Sequence, residues 1–200
     1  MTAAPTTFAF DPQTTLVVVD VQNDFADPGG SLYVHGGEQV VPVVNELVAA
    51  ARAAGAAVAY TQDWHPETTP HFRKDGGVWP VHCVAGTWGA QLHPDLVVDG
   101  PVVRKGTGGE DGYSGFTARD VGTGEESATG LQAVLERHGA TRVVVVGLAQ
   151  DVCVKETVLD ARRLGYEAAV PLAATRPVNV EPGDDRRAVE AMAAAGADVR

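Results

Sequence analysis

The stretch "TRVVVVGLAQDVC", residues 141–153, decides the fold class of this 200-residue sequence. Its run of valines does not alternate with polar residues, a pattern typical of a strand that is covered on both faces. Residues 14–20, "TTLVVVD", repeat that pattern near the start of the chain. Because strands buried on both faces occur mainly in parallel sheets flanked by helices, the two stretches predict an α/β fold.

The segments around these stretches alternate between helical and strand-like patterns. Apolar residues recur at helical spacing from Val40 to Ala51, Gly55 follows as a C-terminal cap, and residues 56–62 resemble a strand. Such alternation predicts three layers, α/β/α, with a mainly parallel six-stranded sheet and helices on both faces. Further strands are predicted at 101–104, 166–171 and 197–199, and further helices before Gly139, before Gly165 and over 184–195.

The length and the order of elements predict a single domain over residues 1–200. Residues 1–13 precede the first strand as an N-terminal extension. Residues 63–95 and 106–130 do not show a regular pattern, and the second of these segments contains eight glycines. Long irregular segments in compact domains are usually functional or disordered. We therefore interpret 63–95 as a metal-binding loop region and 106–130 as a candidate lid.

The composition limits the classes of partner. A formal net charge of −11 and a pI near 4.8 argue against binding to nucleic acids or anionic membranes, because both require a basic surface. No apolar run is long enough to span a membrane, and the N-terminus lacks the pattern of a secretory signal. The sequence therefore predicts a cytoplasmic protein with free Cys83 and Cys153 thiols and a small-molecule substrate. It leaves open whether the chain forms a homo-oligomer.

Polar residues directly follow four of the predicted strands. Asp20, Asp63 and Lys105 come after the first three, and Cys153 lies in the turn after the fourth. Ligands of open α/β sheets bind at the carboxyl ends of the strands, so we expect these four side chains to converge there. Taken singly, each has an ordinary interpretation. A carboxylate can cap a turn, a lysine can be a solvated charge, and a cysteine can be an apolar core residue.

The expected convergence favours nucleophilic catalysis by Cys153. Asp151 is a candidate N-cap, which would place Cys153 in the first turn of a helix, where the partial positive charge stabilises a thiolate. Asp20 would accept the thiol proton and later pass it to a leaving amine. Lys105 would stabilise the thiolate or a developing oxyanion.

The stretch "DWHPETTPHF", residues 63–72, adds a candidate metal site. It contains Asp63, His65 and His71, and His82 follows in "WPVHC". A carboxylate and three neutral imidazoles suit one divalent zinc, iron or manganese ion, with positions left for water. Surface or capping histidines are the alternative interpretation. No organic cofactor is expected, because the glycine-rich residues 106–112 lack the pattern of a phosphate loop.

Six motifs follow one another between about residue 14 and residue 176. They are "VDVQNDF" (19–25), "DWHP...HF" (63–72), "WPVHCVAGTWGA" (79–90), "RKG" (104–106), "YSGF" (113–116) and "VVGLAQDVCVKETVLDARRLGY" (145–166). Their content and order resemble the nicotinamidase branch of the isochorismatase-like cysteine hydrolases. The resemblance implies that Asp20, Lys105 and Cys153 form the catalytic triad. It also implies that the aspartate and the three histidines of the candidate metal site are the metal ligands.

The resemblance implies roles for residues beside the triad as well. The backbone N–H groups of Ala149 and Cys153 would form the oxyanion hole, and a cis peptide is expected between Leu148 and Ala149. Gln150 and Val152 depart from the residues that are common in the family at these positions, which puts the rate and the substrate range in question. The aromatic residues implied to enclose the substrate ring are Phe25, Trp79 and Tyr113.

The implied activity is hydrolysis of nicotinamide, or of a related pyridine or pyrazine carboxamide, to the acid and ammonia. The reaction would pass through a cysteine thioester, the metal would orient the ring, and the amidohydrolase would serve NAD salvage. One alternative is a metal-free relative that acts on an N-carbamoyl compound or an isochorismate-like vinyl ether. The other is a non-catalytic ligand-binding module, against which the intact triad argues.

Overall fold

A computed structural model describes residues 8–200, and residues 1–7 of the predicted N-terminal extension lie outside this range. The main sheet has the strand order β3-β2-β1-β6-β7-β9, a short β8 also pairs with β6, and all its pairings are parallel. The strands are β1 (Thr14–Val19), β2 (Ala57–Asp63), β3 (Val102–Lys105), β4 (Thr117–Arg119), β5 (Glu126–Ala128), β6 (Arg142–Leu148), β7 (Glu167–Val170), β8 (Thr175–Arg176) and β9 (Asp198–Val199).

Helices cover both faces of this sheet, as predicted. Because successive side chains of a strand point to opposite faces, a central strand contributes to two separate apolar cores. On β1, Leu16 and Val18 belong to one core, and Val17 and Val19 belong to the other. The helices are α1 (Asn23–Ala26), α2 (Val40–Ala53), α3 (Leu131–Arg137), α4 (Lys155–Arg163) and α5 (Asp184–Ala194).

The two cores define the three layers. Helix α2 packs on the first core through Val40, Val44 and Val48, while α3, α4 and α5 pack on the second. The β-branched runs of β1 and β6 are therefore buried on both faces, which is why they show no alternation of apolar and polar residues. The predicted three-layer α/β/α fold with a mainly parallel sheet is confirmed.

Two elements differ from the predicted set. The short strand β8 adds a seventh member to the six strands of the main path. Within the glycine-rich segment 106–130, β4 and β5 form an antiparallel hairpin, which the sequence pattern did not indicate because each strand has only three residues. The role of this segment as a lid stays a prediction.

The strand order creates a crevice at the carboxyl ends of β1 and β6. The chain leaves β1 towards β2 and β3 on one side, and it later continues from β6 towards β7 and β9 on the other. Such a reversal of winding direction is where open α/β sheets bind ligands. Gly147, with φ of 109°, allows β6 to approach β1 here, because a Cβ atom at this position would lie 2.0 Å from the carbonyl oxygen of Val19. No helix within residues 8–200 is both long and apolar enough to cross a membrane.

Candidate active site

The three residues of the predicted triad meet at this crevice. Asp20 directly follows β1, Lys105 ends β3, and Cys153 lies in the turn after β6. The Lys105 Nζ atom lies 2.7 Å from Asp20 Oδ2 and 3.8 Å from Cys153 Sγ. All three side chains are buried, so their charges interact without being screened by bulk water.

Lys105 makes an ion pair with Asp20 and donates its N–H groups to three other acceptors. These are the carboxylate of Asp63, the backbone carbonyl of Gly112 and the sulfur of Cys153. Burial alone would lower the pKa of Lys105, but the two carboxylates outweigh burial and hold the pKa well above its usual value. Lys105 is therefore a permanent cation between Asp20, Asp63 and the thiol.

Asp20 has the pKa expected of a general base. Burial raises the pKa of Asp20 to about 6, although the charge of Lys105 works in the opposite direction. Its Oδ1 atom accepts a hydrogen bond of 2.6 Å from the Thr61 hydroxyl, which favours the carboxylate form. Burial also raises the pKa of the Cys153 thiol, and this effect exceeds the opposing one of Lys105. The resting pair is thus a neutral thiol beside a carboxylate that can accept its proton.

The turn that carries Cys153 differs from the prediction. Residues Gln150–Val154 form a π-helical turn, and α4 begins only at Lys155. The prediction that Asp151 caps this helix was wrong, because its carboxylate instead accepts hydrogen bonds from the backbone N–H groups of Val178 and Asn179. The prediction that the helix terminus lowers the pKa of the Cys153 thiol is therefore also wrong. The cis peptide expected between Leu148 and Ala149 is present.

The three histidines of the predicted metal site form a buried cluster. Nitrogen atoms of His65, His71 and His82 all lie within 4.8 Å of one another. Asp63 Oδ2 lies 3.8 Å from His65 Nε2 and 4.0 Å from His82 Nε2. Gln22 fixes the backbone of Asp63 with two hydrogen bonds of 2.8 Å, one from its amide group and one to its amide oxygen. The loop 63–82 thus folds back so that the three imidazoles lie together, with the Asp63 carboxylate close to two of them.

The chemistry of this cluster fits a divalent metal ion. Neither ring nitrogen of His65 has a hydrogen-bond partner among residues 8–200, although the side chain is fully buried. Such orphaned nitrogens are costly unless a ligand satisfies them. Burial lowers the pKa of His82 to about 4, so its imidazole is neutral at physiological pH, as metal binding requires. Burial alone would raise the pKa of Asp63, but the charge of Lys105 holds it well below its usual value, so this group is a carboxylate.

A cavity that opens to solvent connects the two clusters. Its lining includes Cys153 and Ala149 as well as Asp63, His71 and His82. The three aromatic residues predicted to enclose a substrate ring all lie on its wall, where Trp79 Nε1 donates a hydrogen bond of 2.9 Å to the Tyr113 hydroxyl. The remaining lining residues are Leu32, Val34, Gly112, Val152 and Val178.

Comparisons with known proteins identify the family of this chain. The family model described as "Isochorismatase domain" matches residues 14–200. The chain belongs to the isochorismatase family. Within it, the nicotinamidase of Escherichia coli (strain K12) is 39% identical, and the match covers 93% of each chain.

Solved structures of the isochorismatase family extend the comparison. The pyrazinamidase of Pyrococcus horikoshii in complex with zinc has a TM-score of 0.83 and 38% identity, and the match covers 94% of this chain and 99% of that one. PnC1 from L. infantum, in complex with nicotinate, has a TM-score of 0.86 and 35% identity, with 96% and 95% covered. Both likenesses extend over nearly the whole chain.

Several residues of the site in this isochorismatase family member were not predicted from the sequence. Leu32, Val34 and Val178 line the cavity from loops whose folded positions no local pattern specifies. Thr61 contacts Asp20, and its position two residues before Asp63 on a buried strand was the available signal. Of the two departures noted in the motif, Val152 lines the cavity, while the Gln150 amide lies 3.3 Å from the Thr175 hydroxyl outside the lining.

Proposed function

We propose that this protein is a nicotinamidase, an amidohydrolase that converts nicotinamide to nicotinate and ammonia in NAD salvage. One observation carries the proposal: a single cavity is lined both by a cysteine with a carboxylate and an ammonium behind it and by a cluster of metal-ligating side chains. The similarity to the E. coli nicotinamidase supports the same conclusion. The metal-ligand set disfavours a metal-free relative, and the complete triad disfavours a binding module.

The acylation step uses Asp20, Cys153 and the backbone of the turn. Asp20 takes the thiol proton, and the sulfur attacks the carboxamide carbon. The N–H groups of Ala149 and Cys153 stabilise the oxyanion that forms, a contribution of typically ~3 to 4 kcal/mol per donor. Asp20 then returns its proton to the nitrogen, the C–N bond breaks and ammonia leaves.

The deacylation step regenerates the free thiol. Asp20 removes a proton from water, the hydroxide attacks the thioester carbon, and the C–S bond breaks to give the thiolate and nicotinic acid, which loses its proton to solvent as nicotinate. The thiolate recovers its proton from Asp20. Lys105 remains protonated throughout, and its positive charge stabilises the anionic species of both steps.

Asp63, His65, His71 and His82 are the residues that would hold a divalent zinc, iron or manganese ion. Such an ion would supply a Lewis-acid contact to the pyridine nitrogen and so fix the orientation of the ring. Phe25, Trp79 and Tyr113 would pack against the ring faces and edges. The carboxamide would then point towards Cys153.

Ammonia release from nicotinamide, with and without a chelator, tests this proposal. We expect turnover by the purified protein, loss of turnover after chelation, and recovery when zinc, iron or manganese is added back. Benzamide is the matched control substrate because it lacks only the ring nitrogen, and we expect a higher KM for it. Failure to release ammonia from nicotinamide with any of the three metals would contradict the proposed activity.

The acid limb of the pH profile is expected to report Asp20. Because the base must be a carboxylate and its pKa is raised to about 6, kcat/KM should fall as the pH decreases through about 6. Thr61→Val removes a hydrogen bond to the carboxylate form and should move this limb upward by roughly one pH unit. Thr15→Val, a change of the same kind on β1, should leave it in place. If the acid limb lay at the same pH in Thr61→Val and Thr15→Val, this would count against Asp20 as the base.

A further inference from the structure

Asp111 makes a contact that the proposed steps do not use. Its carboxylate Oδ1 atom accepts a hydrogen bond from Nδ1 of the buried His71. Because a carboxylate can only accept, this bond requires the proton of the imidazole to be on Nδ1. It leaves Nε2 as the nitrogen of His71 that is free to bind a metal ion.

The three histidines of the cluster are oriented in different ways. His82 Nδ1 donates to the backbone carbonyl of Pro80 at 2.7 Å. For His65, no ring partner occurs in the part of the chain that the structure describes, and the ring packs edge-on against Phe72. His71 is thus the member whose orienting group carries a full negative charge.

The backbone of Asp111 is fixed by the hairpin that follows it. Its N–H group donates to the carbonyl of Arg119 at 2.8 Å, and the N–H of Arg119 donates back at 2.9 Å. Arg119 lies on β4, which pairs with β5. The carboxylate is therefore presented by a paired strand segment, so its position does not depend on one flexible loop.

Charge gives this carboxylate a second effect. Asp63 is the one carboxylate of the proposed ligand set, and its negative charge is shared with Lys105. Asp111 has no Lys or Arg partner within 4.0 Å among residues 8–200. Its charge therefore acts through the imidazole of His71, because the hydrogen bond from Nδ1 to a carboxylate strengthens when Nε2 binds a cation.

We propose that Asp111 is a positioning residue, which fixes the tautomer and ring orientation of His71 and strengthens metal binding through it. The inference rests on the metal site of the proposed function. Carboxylates that accept a hydrogen bond from a metal-bound histidine typically contribute about 10- to 100-fold to metal affinity. The start of the glycine-rich segment thereby has a function that does not depend on whether the segment moves as a lid.

Zinc affinity, measured by competition with a chromophoric chelator, tests the proposal without relying on turnover. We expect Asp111→Ala to weaken zinc binding by about 10- to 100-fold. Asp111→Asn keeps an acceptor oxygen but loses the charge, so its affinity should lie in between. Glu110→Gln is the matched control, because the neighbouring Glu110 side chain accepts a hydrogen bond from the N–H of Gly108 and makes none with a histidine of residues 8–200. We expect Glu110→Gln to bind zinc as the unaltered protein does.

A double-mutant cycle separates action through His71 from a general structural effect. In a His71→Ala background, Asp111→Ala should change zinc affinity by less than about threefold, since the group it orients is gone. The alkylation rate of Cys153 should be the same in all variants. If Asp111→Ala does not fold, Asp111→Asn carries the same cycle.

Two results would overturn this inference without contradicting the proposed function. They are unchanged zinc affinity in both Asp111 variants, and an equal loss of affinity with and without His71. If the unaltered protein bound no zinc, iron or manganese, the metal site of the proposed function would be contradicted as well.

Discussion

Cys153→Ala is expected to reduce ammonia release from nicotinamide by at least ~10⁴-fold, because removal of a nucleophile that acts with its base abolishes the whole covalent route. The variant should still bind nicotinate, since the aromatic residues of the cavity wall and the candidate metal ligands do not depend on the sulfur. Rapid-quench assays would give the rate, and calorimetric titration with nicotinate would give the affinity. Turnover above about 1% of the normal rate would show that another group attacks the amide.

Cys83→Ala is the control for this experiment. Cys83 is the other free cysteine and is fully buried, and its sulfur lies 3.9 Å from the carbonyl of Gly89 rather than at the cavity. We expect this variant to keep turnover within about tenfold of normal, with a stability loss of the size seen for small cavities. In the unaltered protein, iodoacetamide should label Cys153 before Cys83, because only Cys153 lines the cavity.

Lys105→Met is expected to lower the free energy of unfolding by about 3 to 5 kcal/mol at pH 8, in addition to abolishing turnover. The reason is that Asp20 and Asp63 would remain buried without their shared cation. Methionine keeps much of the volume of the lysine side chain, so the loss reports charge rather than a cavity. Urea unfolding followed by circular dichroism would measure it.

The pH dependence of this loss gives a check on its cause. A carboxyl group whose pKa is raised in the folded state favours folding below its unfolded pKa, and this contribution disappears as the pH rises through the folded pKa. Without Lys105, the pKa of Asp20 should rise above its present value of about 6. The variant should therefore be less impaired at pH 5 than at pH 8. Lys155→Met, which breaks only a partly exposed ion pair with Glu156, should cost at most about 1 kcal/mol at either pH.

The sheet could be predicted because its central strands are unbroken apolar runs, and the triad could be predicted because its residues follow such strands. The unbroken apolar runs at 14–19 and 142–148 mark buried parallel strands, and residues that directly follow such strands must lie at one edge of the sheet. Asp20, Lys105 and Cys153 were therefore expected together. The local geometry of the turn at 150–154 was not predictable, because a distant loop, rather than the adjacent helix, satisfies the carboxylate of Asp151.

The residues of the candidate metal site were predicted with help from the family resemblance, and Asp111 was missed. The spacing of histidines in a polar loop has several ordinary explanations, and the fold adds the observation that His65, His71 and His82 lie together. Asp111 lies 40 residues from His71 in a segment where acidic and glycine residues suggest a surface loop. Tertiary contacts over such distances leave no periodic signal in a single sequence.

The carbonyl of Gly112, which accepts a hydrogen bond from Lys105, has a consequence for mutational surveys of this protein. A main-chain oxygen is present whatever residue occupies the position, so side-chain scanning cannot delete it. Its placement depends instead on the number of residues between Lys105 and the hairpin. Many side chains of the glycine-rich segment can therefore be substituted without loss of this contact, but its length is strictly constrained. Insertions or deletions there displace the carbonyl that accepts the hydrogen bond from the charged Lys105.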